Sequence, residues 1–341
     1  MSTLKTRFTE MFGIDHPIAL APMGGAVEAE LAAAVSNAGG FGILPLSWSD
    51  PDTIHEQLLS TQEATDKPFA VNLCIENSQD KRLGLCLEHE VRAVHFFWGD
   101  AGPYVKRVHS AGAKVIQTVS SSDEAKRACD AGVDVLIAQG WEAGGHVRGK
   151  VASMPLIPSV TDVSGEIPVL AAGGMADGRS LAAAMALGAS GIVMGTRFLA
   201  SAETCAHPDY VAQILSADDN DTIYAKDLFN VGWSNAPHRV LRSALTDRWF
   251  EDDCPDNIHR FRAGETVTRS GDVNISAYQS ATPHKSMSGE ITTMSMWAGQ
   301  SCGLVSEITS ASGIIKSTVT QAISIIEQQS KLLTGGVLND G

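Results

Sequence analysis

The sequence lacks most of what would place it outside the cell or against a polyanion. Its six cysteines (Cys74, Cys86, Cys129, Cys205, Cys254 and Cys302) are scattered through 341 residues without a CxxC pair. That spacing argues against a disulfide framework or a zinc site and suits reduced thiols in a cytoplasm. No apolar run reaches the roughly 18 residues of a membrane span. The opening MSTLKTRFTEMFG has no apolar h-region, so no signal peptide is expected. Positive charge is scarce: 25 Lys and Arg stand against 39 Asp and Glu, a net charge of −14. This excess argues against nucleic acid and an anionic membrane surface as partners. It leaves open a buried anion site built from local groups. Also missing is a GxGxxG after the first strand-like run, and the strand ends bring together no GxSxG, no paired carboxylates and no His/Asp/Glu set at metal-ligand spacing, so no metal is expected.

What is present centres on residues 167–200, IPVLAAGGMADGRSLAAAMALGASGIVMGTRFLA. Ile167 to Ala172 is a short apolar run, the pattern of a buried parallel strand. Gly173 and Gly174 follow at its C-terminal end. Asp177 to Leu187 is alanine-rich and helical, with Asp177 as N-cap and Gly188 as the residue past the C-cap. Gly191 to Met194 is the next strand, and Gly195-Thr196 the next turn. Either glycine turn alone is explained by tight backbone geometry. Two of them a strand apart, on one sheet edge, form an amide-lined nest that suits a phosphate. In an eight-fold α/β barrel, the loops after strands seven and eight are the usual phosphate grip.

The same rhythm runs from the start of the chain. Strand-like runs at residues 17–22, 41–46, 69–74, 93–98, 114–119 and 133–138 alternate with helical patterns at 27–37, 52–63, 79–89, 104–111 and 122–131. With the two strands above, eight short-linked strand-helix units predict a closed (β/α)8 TIM barrel rather than an open doubly wound sheet. After Ala200 the regularity stops. Residues 1–216 are read as the barrel and 217–288 as an inserted cap or substrate domain. Residues 289–341 return to the barrel through a closing helix, Leu304 to Leu333, with a frayed tail from Lys331. The 217–288 stretch is polar and irregular. It nevertheless holds Trp233, Trp249 and Phe250, so it is expected to be ordered.

Barrel sites lie at the C-terminal ends of the strands. Those ends offer Met23, Gly24, Gly25, Asn72, Gln117 and Gln139, then the loop WEAGGHVRG with Gly144 and Gly145. The set is rich in amides and poor in charge. Amides donate and accept without charge, as a heteroaromatic ring with mixed edges requires. Together with the phosphate grip they suggest a flat phosphorylated cofactor, and flavin mononucleotide (FMN) fits both ends. The absence of a dinucleotide fingerprint favours FMN over FAD. His146 is the one histidine in a glycine-rich loop directly after a barrel strand. Titrating near neutrality, it would serve as acid or base, or in its protonated form attract an anion. His95 lies within the fourth strand and can point into the barrel. Glu142, beside Trp141, is read as structural.

APMGG, AVNL, AQGWEAGGH, AAGGMADGR, MGTRF and WAGQSCG, in that order, resemble the nitronate monooxygenase family. The resemblance covers about residues 10–200 and 290–325. It implies an FMN-dependent barrel that oxidises alkyl nitronates with O2 to carbonyl compounds and nitrite. It implies flavin contacts at Asn72, Gln139, Gly144, Gly174 and the run Val193, Met194, Gly195 and Thr196. Gln300, in the late AGQ element, would lie near the cofactor, and His146 would be the active-site histidine. The family loop is usually GGH-x-G, whereas here Arg148 intervenes before Gly149. Residues 217–288 match no family motif. A flavin-dependent NAD(P)H reductase, of the enoyl-acyl-carrier-protein or quinone kind, shares the barrel and is the alternative. An IMP dehydrogenase-like enzyme would need a cysteine on the loop after the sixth strand, which is absent. A barrel that binds a phosphorylated ligand without catalysis is a third reading.

Overall fold

The computed structural model describes residues 4–255 and 258–332. Eight parallel strands form the barrel: β1 (Ile18–Leu20), β2 (Gly42–Pro45), β3 (Phe69–Cys74), β4 (Ala93–Phe97), β5 (Lys114–Val119), β6 (Val135–Gln139), β8 (Val169–Ala172) and β9 (Gly191–Met194). A two-residue strand, β7 (Gly145–His146), sits in the loop after β6. The order β1-β9-β8-β6-β5-β4-β3-β2 closes on itself through Ala19 and Phe41. There Leu20 N–H donates to Phe41 O, and Phe41 N–H to Ile18 O. The TIM barrel expected from the strand-helix rhythm is therefore found.

Alternation along the strands separates two cores. Inward positions such as Ala19, Ile43, Ala70, Ala93, Ile116, Ile137, Leu170 and Val193 fill the lumen. Outward positions such as Leu20, Val71, Val94, Val115, Leu136 and Ala171 pack under the helices. The successive side chains of a strand point to opposite faces, so one strand serves both layers. The helices are α1 (Arg7–Phe12), α2 (Ala29–Asn37), α3 (Pro51–Ala64), α4 (Asp80–Glu88), α5 (Gly102–Ser110), α6 (Ser122–Asp130), α7 (Ser153–Ser164), α8 (Gly178–Ala186), α9 (Thr196–Leu199), α10 (Pro208–Ser216), α11 (Ala244–Glu251) and α12 (Ala311–Ser330).

Of these α1, α7, α9 and α11 were not anticipated: α9 is a single turn after Gly195, and α11 lies in the stretch read as irregular. The short α1 sends Phe8 and Phe12 against Phe41, with ring centroids 5.5 and 4.4 Å away, and adds them to the lumen cluster. Helix α7 carries Pro155 in its first turn and Pro158 inside it, which hides the helical pattern. Boundaries moved where caps decide them. Strand β6 begins at Val135 because Val133 N–H still closes the preceding helix on Ala128 O. The closing helix begins at Ala311 rather than Leu304, since the Ser310 hydroxyl caps it by accepting from Gly313 N–H. The expected tail lies, from residue 333 on, outside the described residues. Asp177 caps α8 as expected, in a capping box with Ser180.

Residues 217–288 contribute β10 (Thr222–Ala225), β11 (His238–Leu241), α11, β12 (Thr266–Ser270), β13 (Val273–Ser276) and the start of β14 (Met287–Gly289). The first two strands join β7 in an antiparallel sheet of order β10-β11-β7, and the last three form another. A satellite core holds Phe229, Val240, Trp249 and Tyr278. Among the described residues, no helix is long and apolar enough to cross a membrane, and the six cysteines are free thiols.

Helices α8 and α12 touch backbone to backbone. A Cβ on Gly178 would lie 2.4 Å from Ala322 N and 2.5 Å from Thr318 O. Gly178→Ala should therefore destabilise the fold by about 1–3 kcal/mol, because overpacking here outweighs the gain in helix propensity. Urea unfolding is the check. A midpoint equal to or above that of the parent chain would refute this close packing.

Candidate active site

The inward face of the strands places four polar side chains, Asn72, His95, Thr118 and Gln139, in the upper lumen. Asn72 on β3 and His95 on β4 are register partners. Asn72 Nδ2 donates to His95 Nδ1 at 3.1 Å, and Ser47 Oγ donates to Asn72 Oδ1 at 3.3 Å. With Nδ1 accepting, His95 donates through Nε2 to Thr118 Oγ1 at 2.7 Å. Burial pushes the His95 pKa down to about 3. His95 thus points into the barrel as a neutral, fully used hydrogen-bonding group. Gln139, at the end of β6, also faces inward. Its Nε2 donates to His146 O at 3.2 Å, while its Oε1 is buried without a partner.

Gln117 departs from this set. It alternates to the outer face, where Oε1 accepts from Ala101 N–H and Nε2 donates to Gly99 O. Both ends of its amide hold the loop before α5, so the structure does not bring it to the mouth. Val193 faces the lumen and Met194 the helix layer.

The two glycine turns lie where β8 and β9 end. Gly173 (φ +92°) and Gly174 (φ +75°) both adopt left-handed backbone conformations, and a Cβ on Gly173 would meet Gly140 O at 2.9 Å. Thr196 Oγ1 accepts from Gly299 N–H at 3.0 Å, which docks the AGQ element on the second turn. Gln300 N–H donates to Glu142 O, and the Gln300 side chain is exposed. A Cβ on Gly144 would lie 2.4 Å from Gly299 N, so the two loops meet backbone to backbone. Gly24 is exposed with open space around it, and the Met23 sulfur lies 3.6 Å from where a Cβ on Gly195 would be. Glu142 is structural, since both of its carboxylate oxygens accept from Ser153 N–H at 3.1 Å, at the start of α7. Arg148 turns outward, 3.8 Å from Glu124, and adds no charge to the mouth.

His146 stands in an aromatic box. The rings of Trp233, Trp297 and Trp98 lie 4.0, 5.0 and 5.8 Å from its own, and that of His238 lies 5.8 Å away. His146 and His238 face each other across the β7–β11 pair. Both Nδ1 atoms sit against one acceptor, Ala236 O, at 3.2 and 2.9 Å. Each ring must then carry its proton on Nδ1. For His238, Nε2 accepts from Phe229 N–H. For His146, Nε2 is left as an acceptor, 3.4 Å from Ser280 Oγ. Burial first, and His238 second, push the His146 pKa down to about 3; burial likewise takes His238 down to about 4. The expectation of titration near neutrality is corrected: the tryptophan packing strips the ring of water, so it stays neutral through the physiological range.

The box is completed by residues that sequence motifs left out. Trp233, Ser280 and His238 all come from the irregular 217–288 stretch. Trp233 Nε1 is a second buried atom without a partner. Trp98 holds φ +68°, a conformation that a bulky side chain rarely adopts and that clusters at functional sites.

The fold and this mouth define a barrel enzyme whose site lies at the C-terminal strand ends. The nitronate monooxygenase family model matches residues 5–82 and 75–321, so the chain belongs to that family, and it is a flavin-dependent oxidoreductase. It is 37% identical over 248 residues to a (3aS,4S,5R,7aS)-5-hydroxy-7a-methyl-1-oxo-octahydro-1H-indene-4-carboxyl-CoA dehydrogenase of Rhodococcus jostii, covering 72% of this chain and 68% of that one. A Staphylococcus saprophyticus protein named "Probable nitronate monooxygenase" is 31% identical, with 95% and 99% covered. FabK from Thermotoga maritima superposes with a TM-score of 0.82 at 34% identity, over 97% of this chain and all of that one.

Three neutral histidines, His95 and His238 buried and His146 half-buried, carry a consequence for stability. Unfolded, each binds a proton near its ordinary pKa of about 6.5. Folded, His95, His146 and His238 resist protonation down to about 3, 3 and 4. Between these limits the unfolded chain holds more protons. Stability should therefore be unaffected by them above about pH 6.5 and fall as the pH drops toward 4, by up to about 1.4 kcal/mol per pH unit for each histidine. Urea unfolding at several pH values should show this fall, and His95→Gln should reduce its slope by about one proton's worth. A slope unchanged in that variant would contradict the buried, neutral state of His95.

Proposed function

We propose that the chain is an FMN-dependent monooxygenase that takes alkyl nitronates and O2 to carbonyl compounds and nitrite, with His146 as the base that removes the carbon-bound proton when the substrate arrives as a neutral nitroalkane. The observation that carries this reading is the state of His146. Ala236 O fixes its proton on Nδ1, which leaves Nε2 as a lone pair inside a tryptophan-lined box. Two unpartnered buried atoms adjoin it, the Gln139 Oε1 acceptor and the Trp233 Nε1 donor. An indole N–H suits an oxygen of a nitro group or nitronate.

The residues also fit the cofactor. The left-handed Gly173-Gly174 turn and the Gly195-Thr196 turn would hold the phosphate of FMN, with Met23, Gly24, Gly144, Gly145 and the inward amides Asn72 and Gln139 toward its ring. Bound there, the flavin supplies the electron-accepting and O2-reactive chemistry. The protein's part is to exclude water through the tryptophans, orient the substrate, and hold a proton at His146 Nε2. A neutral nitroalkane must lose a carbon-bound proton, whereas a nitronate has already lost it. The resting ring is neutral, so it presents no positive charge to an incoming nitronate and becomes cationic only on taking a carbon-bound proton.

A second reading, an FMN-dependent NAD(P)H reductase, draws support from identity: the CoA-thioester dehydrogenase and FabK resemble this chain at 37% and 34%, above the 31% of the Staphylococcus protein. Anaerobic mixing separates the two. Bleaching of the flavin by a nitronate and not by NADH or NADPH is the expected result; the reverse would replace the leading reading.

Two variants test the site. Gly174→Asp puts a carboxylate beside Glu142, whose Cγ would lie 3.4 Å from the new Cβ, and against the proposed phosphate. Loss of flavin with the fold retained is expected, and full flavin content would refute the phosphate assignment. Heat release from the parent chain should yield FMN and not FAD. His146→Ala should cost a neutral nitroalkane roughly 10²–10⁴-fold in rate, the usual contribution of a positioned base, and a pre-formed nitronate much less. Equal losses on both would exclude a role in removing the carbon proton.

A further inference from the structure

A cluster of metal-ligand character lies away from His146, where three distant segments meet. Glu28 stands at the head of α2, Cys205 in the loop after α9, and His284 in the strand-poor stretch before β14. One donor atom from each lies within 4.8 Å of the others. Cys205 Sγ–H donates to Glu28 Oε2 at 3.0 Å, and His284 Nε2 lies 3.3 Å from Glu28 Oε1. We propose that Glu28, Cys205 and His284 bind a single Zn²⁺ ion that fastens the 280s segment to the loop after β1.

The geometry suits that ion. Zinc takes sulfur at about 2.3 Å and nitrogen or oxygen at about 2.0–2.2 Å in a tetrahedron, so its ligands stand about 3.3–3.6 Å apart. The Sγ–Oε2 and Nε2–Oε1 separations are close to that spacing, and with all three donors within 4.8 Å of one another the ion would draw the set together by side-chain adjustment. The donor set of one thiol, one imidazole and one carboxylate is borderline-soft, which favours zinc over calcium or magnesium. His284 Nε2 is buried and makes no hydrogen bond of good geometry. On the other side of the ring, Ser286 Oγ lies 2.7 Å from Nδ1, placed to take the Nδ1 proton once Nε2 is a ligand, the outer-shell support a metal-bound histidine requires. Ser286 N–H now donates to the same nitrogen at 3.1 Å, a bond the tautomer with Nε2 on the ion would give up. The ion displaces the Cys205 thiol proton to solvent, the thiolate and Glu28 carboxylate together offset Zn²⁺, and Glu30 faces the Lys285 ammonium that lies beside the thiol. Burial and Glu28 hold that thiol up at about 11, with Lys285 acting in the opposite sense. Glu28 remains partly exposed, which gives the ion a way in and leaves a fourth position for water.

The ion would close a specific seam. Lys285 N–H donates to Cys205 O, Cys205 N–H to Ala26 O, and His207 N–H to Pro283 O. Thr282, two residues before His284, accepts from Trp297 Nε1 at 3.0 Å, and Trp297 is a wall of the His146 box. The separations in sequence, 177 residues between Glu28 and Cys205, explain why no ligand spacing was visible in the chain.

The test uses the intact full-length protein, stripped with a chelating resin and titrated with ZnCl2 against a zinc-chelating dye. One Zn²⁺ per chain is expected, with a higher thermal midpoint. Glu28→Gln, Cys205→Ser and His284→Gln should each weaken binding by more than about 100-fold, since losing a ligand should exceed the 10–100-fold cost of losing its outer-shell partner. Cys254→Ser, an exposed thiol elsewhere, should leave binding unchanged. If Cys205→Ser fails to fold, His284→Gln decides the matter. The absence of saturable uptake, or unchanged affinity in Cys205→Ser or His284→Gln, overturns the site and leaves a hydrogen-bonded Cys–Glu–His contact.

Discussion

One carbonyl oxygen holds the mouth of this barrel together. Ala236 O faces the Nδ1 atoms of both His146 and His238, one from the loop after β6 and one from a strand of the 217–288 excursion. A backbone oxygen has two lone pairs, so it can serve two donors. This fixes both tautomers, and with them what each ring offers at Nε2. The antiparallel β7–β11 pair brings the two residues into register, and the tryptophans then pack on rings whose protonation is already set. Charging either imidazole would place an ion in a desolvated box, and charging both would add their mutual repulsion. Neutrality is a condition of the packing as much as a result of it.

The barrel beneath supplies precision through alternation. Asn72, His95, Thr118 and Gln139 share the inner face because the strands have a period of two, and the same period sends Gln117 outward to hold a loop. The glycines act where backbones must touch. Gly144 against Gly299 brings the loop bearing His146 to the AGQ element, and Gly178 against α12 closes the barrel wall. In both places a methyl group would separate chain segments far apart in sequence.

Much of the barrel was legible in the sequence because buried parallel strands are short, apolar and punctuated by glycine. β3, β5 and β9 have the bounds that their apolar runs suggest. The helices that escaped did so for physical reasons: α1 and α9 are barely more than a turn, α7 contains prolines that its packing tolerates, and α11 is a short helix within an irregular stretch. The candidate site was legible only on the barrel side, where motifs mark loop ends. His146 stood out by its glycines. His238, Trp233 and Ser280 did not, since their meaning depends on contacts across about 90 to 134 residues, and no local period encodes such contacts. The shift of His146 away from neutrality was hidden for the same reason: the rings that desolvate it come from other segments.

The tryptophans make the protein its own optical instrument. Of six in the chain, Trp98, Trp233 and Trp297 surround His146, and Trp48 packs at a tilt against Trp233 with ring centroids 5.0 Å apart. Most of the intrinsic ultraviolet emission therefore originates at the mouth itself. Rings in such proximity exchange excitation, so quenching one dims the group. Any chromophore or substrate that enters the box will report its own arrival, without a label.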